Sequence, residues 1–387
     1  MQQRMFRSGG GAWRLPCCLL AATMAVMGSL PSSVSAASSA AQDSAGGARP
    51  LVVAHRGASA RLPEHTLAAY RRAIEDGADA IEPDLVMTRD GVLVARHENE
   101  IGSTTDVGQR PEFADRRRTQ RIDGVAVTGW FTEDFTLAEL KTLRARERLP
   151  AVRGIWYDGQ YAIPTLHEIV ILLSDLSQAH GRTIGLMPEI KHPSHFQALG
   201  LAMEAPLLEV LAQHPVTQRA PVVVQSFEIA NLRTLRGMLG PAHGNIELLQ
   251  LIGDPRERPA DVAAAGNGPR YRDMTTPDGL RTIAGYAQWI GPPVAQLGEI
   301  GRGGTIEPTT LVADAHAAGL RVLPYTFRPE NPFLPKPLRR GAANARNEDG
   351  SIAEMRAYLA LGIDGLFTDD PALGRAAVDG QRDPARR

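Results

Sequence analysis

The sequence predicts an α/β protein, a parallel TIM (β/α)8 barrel with a helical insertion after its second strand. Three observations predict it. Eight short apolar runs of strand length alternate with segments whose apolar residues recur at helical spacing. Strand–helix–strand units imply parallel strands. Titratable residues stand at the C-terminal ends of the runs, the edge where such barrels carry their chemistry.

The first run, Leu51 to Ala54, ends in His55-Arg56-Gly57. A helical pattern follows from Pro63-Glu64 through Leu67, Tyr70 and Ile74, and Gly77 stops it. The second strand, Ala80 to Leu85, carries Glu82 and Asp84, and a short strand from Val92 to Arg96 delivers His97. Residues 98–162 are then polar and glycine-rich, with an Arg116-Arg117-Arg118 cluster expected to be a solvated face. One short helix is expected there, capped by Thr136 before Glu139. The rhythm resumes with a helix from Leu166 to Ala179 and a strand from Thr183 to Ile190 that carries Glu189, with Lys191 just after it. Strands follow at Val222–Phe227, Glu247–Ile252, Trp289–Ile290, Arg321–Tyr325 and Asp364–Thr368, each pair separated by a helical pattern.

Residues 50–375 are therefore read as the barrel, 98–162 as its insertion and 376–387 as a polar tail. Residues 1–36 read as a signal peptide: Arg4, Arg7 and Arg14 precede the apolar stretch Leu15 to Leu30, and Val34-Ser35-Ala36 offers a cleavage site. Residues 37–49, rich in Ala, Ser and Gly, read as a flexible linker. An exported, periplasmic or secreted protein is expected. Both cysteines, Cys17 and Cys18, lie in the leader, so the mature chain would hold no disulfide and no thiolate chemistry. The formal charge of −1, near −4 after cleavage, argues against a nucleic-acid partner or a polybasic membrane anchor.

Glu82 and Asp84, two residues apart on one strand, point to the same side. Two like charges there repel unless a cation lies between them, and a hard divalent metal suits oxygen donors. Glu189 adds a third carboxylate from the next strand. Ca²⁺ is preferred over Mg²⁺, because Ca²⁺ tolerates irregular geometry. His55 and His97 titrate near neutrality and suit an acid–base pair. Arg56 and Lys191 suit a phosphodiester anion. Glu64 is expected to hold Arg56 or support the metal. Gln225, Phe227, Tyr325 and Phe327 are expected to shape the substrate side. His65, His167, His180, His214, His243 and His316 are read as structural.

This ordered set resembles the glycerophosphodiester phosphodiesterases of the secreted, periplasmic type. The resemblance rests on His55-Arg56-Gly57, Leu62-Pro63-Glu64-His65-Thr66, Glu82-x-Asp84 and a strand ending in His97, and covers residues 50–375. Many relatives carry Asp where this chain has Glu98. The resemblance implies that His55 and His97 are catalytic. It also implies metal-dependent hydrolysis of glycerophosphocholine, glycerophosphoethanolamine and similar small molecules to glycerol 3-phosphate and an alcohol. The position in the motif suggests His55 as base and His97 as acid. Two other readings remain open: a lysophospholipase D-like phosphodiesterase, and a catalytically idle surface binding protein on the same barrel. Homodimerisation is left open as well.

Overall fold

The computed structural model describes residues 49–380; the leader, most of the linker and the end of the tail lie outside the described residues. In chain order, β1 (Leu51–His55), α1 (Leu67–Glu75), β2 (Ala80–Glu82), β3 (Asp84–Met87) and β4 (Leu93–Ala95) open the barrel. The insertion holds β5 (Arg118–Ile122), β6 (Val125–Gly129), α2 (Leu137–Leu140) and α3 (Pro150–Arg153). Then come α4 (Leu166–His180), β7 (Gly185–Leu186), β8 (Glu189–Ile190), α5 (Pro193–Ala198), α6 (Glu204–Gln213), β9 (Val222–Ser226), α7 (Ile229–Met238) and β10 (Ile246–Leu251). The short helices α8 (Ala260–Ala264), α9 (Tyr271–Met274) and α10 (Pro277–Ala284) lead to β11 (Trp289–Gly291). A small hairpin of β12 (Gly298–Ile300) and β13 (Ile306–Pro308), α11 (Leu311–Ala317), β14 (Arg321–Val322), α12 (Glu348–Leu359), β15 (Gly365–Thr368) and α13 (Pro371–Asp379) complete it.

The strands run parallel in the order β14-β11-β10-β9-β7-β2-β1-β15. Closure is made by Asp364 N–H to Val322 O (3.0 Å) and Phe367 N–H to Pro324 O (3.1 Å). Alternation along each strand separates two cores. Val53, Ala80, Met187, Val223, Leu249, Trp289, Leu323 and Phe367 fill the barrel. Val52, Ala54, Ile81, Leu186 and Val224 face the helices instead. Each large side chain so buried contributes roughly 1.5–3 kcal/mol. The inward row is also the row that reaches the site: His55, Glu82, Glu189, Gln225, Leu251, Tyr325 and Asp369 each follow an inward core residue by two.

The strand expected from Ala80 to Leu85 is divided at Pro83, since proline has no N–H for the ladder: β2 ends at Glu82 and β3 begins at Asp84, pairing with β8 and β4. Pro188 interrupts the next strand in the same way, between β7 and β8. The insertion carries short helical turns, several of them 3-10, and adds an antiparallel β5–β6 hairpin that the sequence did not signal. The expected capping box at Thr136 and Glu139 is present. Arg116 is absorbed into packing, bonded to Glu139 (2.6 Å) and lying 4.9 Å from the Phe113 and Phe135 ring centres. The last helix runs to Asp379, past the expected boundary at 375.

Candidate active site

The site begins with a backbone reversal at the end of β1. Arg56 (φ 61°) and Gly57 (φ 85°) both adopt left-handed conformations. A Cβ on Gly57 would lie 2.7 Å from the Ala69 carbonyl carbon of α1, so glycine is required twice over. The reversal turns the Arg56 N–H onto Glu82 Oε2 (2.8 Å). Register then aligns the chemistry: His55 lies opposite Glu82, Asp84 opposite Glu189, and Glu189 opposite Gln225.

Glu82, Asp84 and Glu189 are buried, and one carboxylate oxygen from each lies within 4.8 Å of the others. Asp84 Oδ2 accepts from His65 Nε2 (2.9 Å), whose Nδ1 meets the Tyr70 hydroxyl (2.8 Å). Asp84 Oδ1 is buried with no hydrogen-bond partner. Burial raises the Glu82 carboxyl well above its ordinary range, and the Asp84 charge adds to it. Glu189 is pushed up to about 8 by burial, which the Asp84 charge reinforces and Lys191 opposes. Burial also disfavours the Asp84 carboxylate, but Arg56, Lys191 and His65 together hold it well below the usual range.

His55 Nδ1 lies 2.6 Å from Asp369 Oδ1. Asp369 also accepts from Arg153 (2.6 Å) and Arg328 (3.1 Å), which keep it ionised. The imidazole must therefore donate from Nδ1, leaving Nε2 for the cavity. His97 Nδ1 lies 2.9 Å from Glu98 Oε1, and the same argument leaves its Nε2 free. Burial and then the Arg56 cation depress His55 to about 4, against the pull of Asp369. Burial, Arg56 and Lys191 depress His97 to about 3.

Arg56 is held by Glu64 (3.2 Å) and Asp84 (3.2 Å), and Lys191 by Glu189 (2.8 Å). Glu64 also takes Arg148 (2.9 Å). Arg56, Arg148 and Lys191 all open onto one cavity of about 240 Å³, which also receives His55, His97, Gln225, Phe227 and Tyr325. Gln225 donates to Glu82 (3.3 Å) and Met187 O (3.1 Å), and the Tyr325 hydroxyl to Ile252 O (2.7 Å), so both present apolar or already bonded surface. A hollow of about 620 Å³ adjoins the cavity across Glu189, Lys191 and Phe227. Phe327 is a correction: it is fully buried against Tyr358, outside the cavity.

Arg148, Arg153 and Arg328 had no local signal in the sequence. Arg153 is fixed between Asp369 and Glu330, 216 and 177 residues away. His65 is structural, as read, but its structural task is to hold a site carboxylate.

A parallel barrel that gathers two imidazoles, three carboxylates and fixed cations at its C-terminal edge is built to bind and cleave a phosphate ester. The comparisons define it further. The Glycerophosphoryl diester phosphodiesterase family matches residues 55–373. A glycerophosphodiester phosphodiesterase of Arabidopsis thaliana, GDPD6, is 35% identical over 83% of this chain and 84% of its own. The Haemophilus influenzae glycerophosphodiester phosphodiesterase is 29% identical over 72% of this chain and 79% of its own. The solved Oleispira antarctica phosphodiesterase, in complex with the product sn-glycerol-3-phosphate, superposes with a TM-score of 0.54 at 22% identity, covering 86% of this chain and 97% of that one. The chain belongs to the glycerophosphoryl diester phosphodiesterase family and is a phosphoric diester hydrolase.

Proposed function

We propose that the protein hydrolyses glycerophosphodiesters such as glycerophosphocholine and glycerophosphoethanolamine, releasing glycerol 3-phosphate, with a divalent cation held by Glu82, Asp84 and Glu189. The observation that carries this reading is the carboxylate cluster beside two neutral imidazoles in one cavity. The cluster fits a cation on its own chemistry. Its donors are all oxygen, Asp84 Oδ1 is buried without a partner, and the three groups do not ionise together unaided. Ca²⁺ is favoured over Mg²⁺ for the irregular, all-carboxylate donor set. When bound, the cation supplies positive charge against the charge that develops on the phosphate oxygens.

The protein's own groups do the rest. Arg56 and Lys191, both held charged by their carboxylate neighbours, attract the diester anion. His55 Nε2 accepts the proton of the attacking hydroxyl, while Asp369 steadies the imidazolium that results. With substrate in place His97 takes up a second proton, at Nε2, and passes it to the departing alcohol. Apart from burial, Arg56 and Lys191 are what depress His97, and the negative diester offsets both, so His97 gains proton affinity when substrate is in place.

Release of glycerol 3-phosphate from glycerophosphocholine, assayed with and without a chelator, tests the reading. Activity should vanish in chelator and return first with Ca²⁺. Glu82→Gln, Asp84→Asn and Glu189→Gln should each lose at least about 10³-fold, because the site needs the summed charge. Full activity in exhaustive chelator would remove the metal from the mechanism.

A further inference from the structure

We propose that His192, with Asp123, is a positioning residue for the leaving-group acid: it fixes Glu98, and through Glu98 the orientation of His97. The proposal rests on the acid role given to His97 above.

Four side chains form an unbroken line. His97 Nδ1 lies 2.9 Å from Glu98 Oε1. Glu98 Oε2 lies 2.8 Å from His192 Nε2, and His192 Nδ1 lies 2.7 Å from Asp123 Oδ2. Glu98 has one more rotatable bond than an aspartate, so a single contact with His97 would leave it free to turn. His192 takes the second oxygen and removes that freedom.

Both residues are presented from left-handed backbone. His192 sits at φ 48°, ψ 46° at the start of α5, a region that Asn, Asp and His visit more than most residues. Asp123 at φ 49° and Gly124 at φ 82° form the two-residue turn that joins β5 to β6, where an Asp-Gly pair is favoured. Their contact is the tip of the insertion's hairpin reaching back onto the residue that follows Lys191.

The electrostatics agree with the geometry. Burial opposes the charge on His192, but its bonds to Asp123 and Glu98 raise it to about 9, so it donates from both nitrogens. Glu98 is driven well below the carboxylate range by His192, His97 and Lys191, against its burial. An ionised Glu98 accepts only, which fixes His97 as the Nδ1–H tautomer with Nε2 toward the cavity. The insertion thereby completes the catalytic edge on the side where the alcohol departs.

The test compares kcat and KM on glycerophosphocholine and on a glycerophospho-p-nitrophenyl diester for wild type, His97→Ala, His192→Asn, Asp123→Asn and His97→Ala/His192→Asn. Asparagine tolerates the left-handed backbone and keeps the fold. His192→Asn should lower kcat on the choline diester about 10- to 100-fold and on the nitrophenyl diester less than about 3-fold, with KM little changed. Asp123→Asn should show the same selectivity, smaller. The double variant should be no slower than His97→Ala alone, since the effect passes through His97. Equal loss on both substrates in a folded His192→Asn, or further loss in the double variant, overturns the proposal. If His97→Ala itself spares the choline diester, the acid assignment falls and this inference with it. If His97→Ala is selective and His192→Asn is not, only the positioning role falls. Should His192→Asn not fold, the absence of selectivity in Asp123→Asn overturns the proposal by itself.

Discussion

The two imidazoles proposed as base and acid are supported in opposite ways. His55 leans on buried charges. Its carboxylate, Asp369, is 1% exposed and clamped by Arg153, itself 4% exposed and pinned to Glu330. His97 leans on a half-exposed line of side chains. Its carboxylate, Glu98, is 45% exposed and steadied by His192 and by Asp123, 36% exposed, at a hairpin tip. The difference teaches where each support can tolerate change. The first is made of buried charges whose removal strands their partners. The second faces solvent, where a lost ion pair costs little stability and is felt mainly as a misplaced proton.

The sharpest way to break this comparison is to remove the imidazoles themselves. His55→Ala should collapse turnover of every diester, by about 10³-fold or more, since each still needs an activated nucleophile. His97→Ala should lower hydrolysis of glycerophosphocholine by about 10²- to 10⁴-fold while largely sparing a nitrophenyl diester, whose leaving group departs without a proton. Parallel kinetics on both substrates decide it, and the opposite ranking would exchange the two roles.

A smaller effect is expected one residue further out. Asp369→Asn removes the charge that steadies His55 and should slow both diesters alike, on the order of 10²-fold. It also leaves Arg153 and Arg328 without their shared carboxylate, so the melting temperature should fall. A variant that is unstable yet fully active would make Asp369 a structural residue only.

The residues borne on the strand ends were legible in the sequence, and the supports that distant segments bring to them were not. His55, Glu82, Glu189 and Asp369 each stand two residues beyond an inward core residue, so the same period that defines a strand exposes the site. Asp84 and Lys191 follow in step after Pro83 and the β8 strand. No such period links Asp123 to His192, 69 residues away, or Glu98 to His192, 94 away. Those contacts depend on how a hairpin docks, which local pattern does not encode. Arg148, Arg153 and Arg328 escaped for the same reason: each is an arginine in a polar segment until the fold brings it to a carboxylate.

The smallest expected effect concerns stability against pH, where the two supports carry opposite signs. His192 is raised from 6.5 in the unfolded chain to about 9 in the folded one. Below pH 6.5 both states hold the proton and its contribution is fully present. As pH rises from 6.5 through 9 the unfolded chain releases the proton first, and the contribution is lost. The interval is worth at most roughly 3 kcal/mol, and the partly exposed Asp123 and Glu98 reduce it to about half through solvent screening. His55 is lowered from 6.5 to about 4, so the unfolded chain takes the proton first as pH falls through that window and stability drops with it. Urea midpoints separate the two. His192→Asn should be less stable than wild type at pH 6, and the gap should largely close by pH 10. His55→Asn should gain on wild type as pH falls from 6.5 toward 4. A His192→Asn gap that stays constant from pH 6 to pH 10 would mean that a neutral imidazole bridges the two carboxylates, and Glu98 would then lack the charged partner that holds it in line with His97.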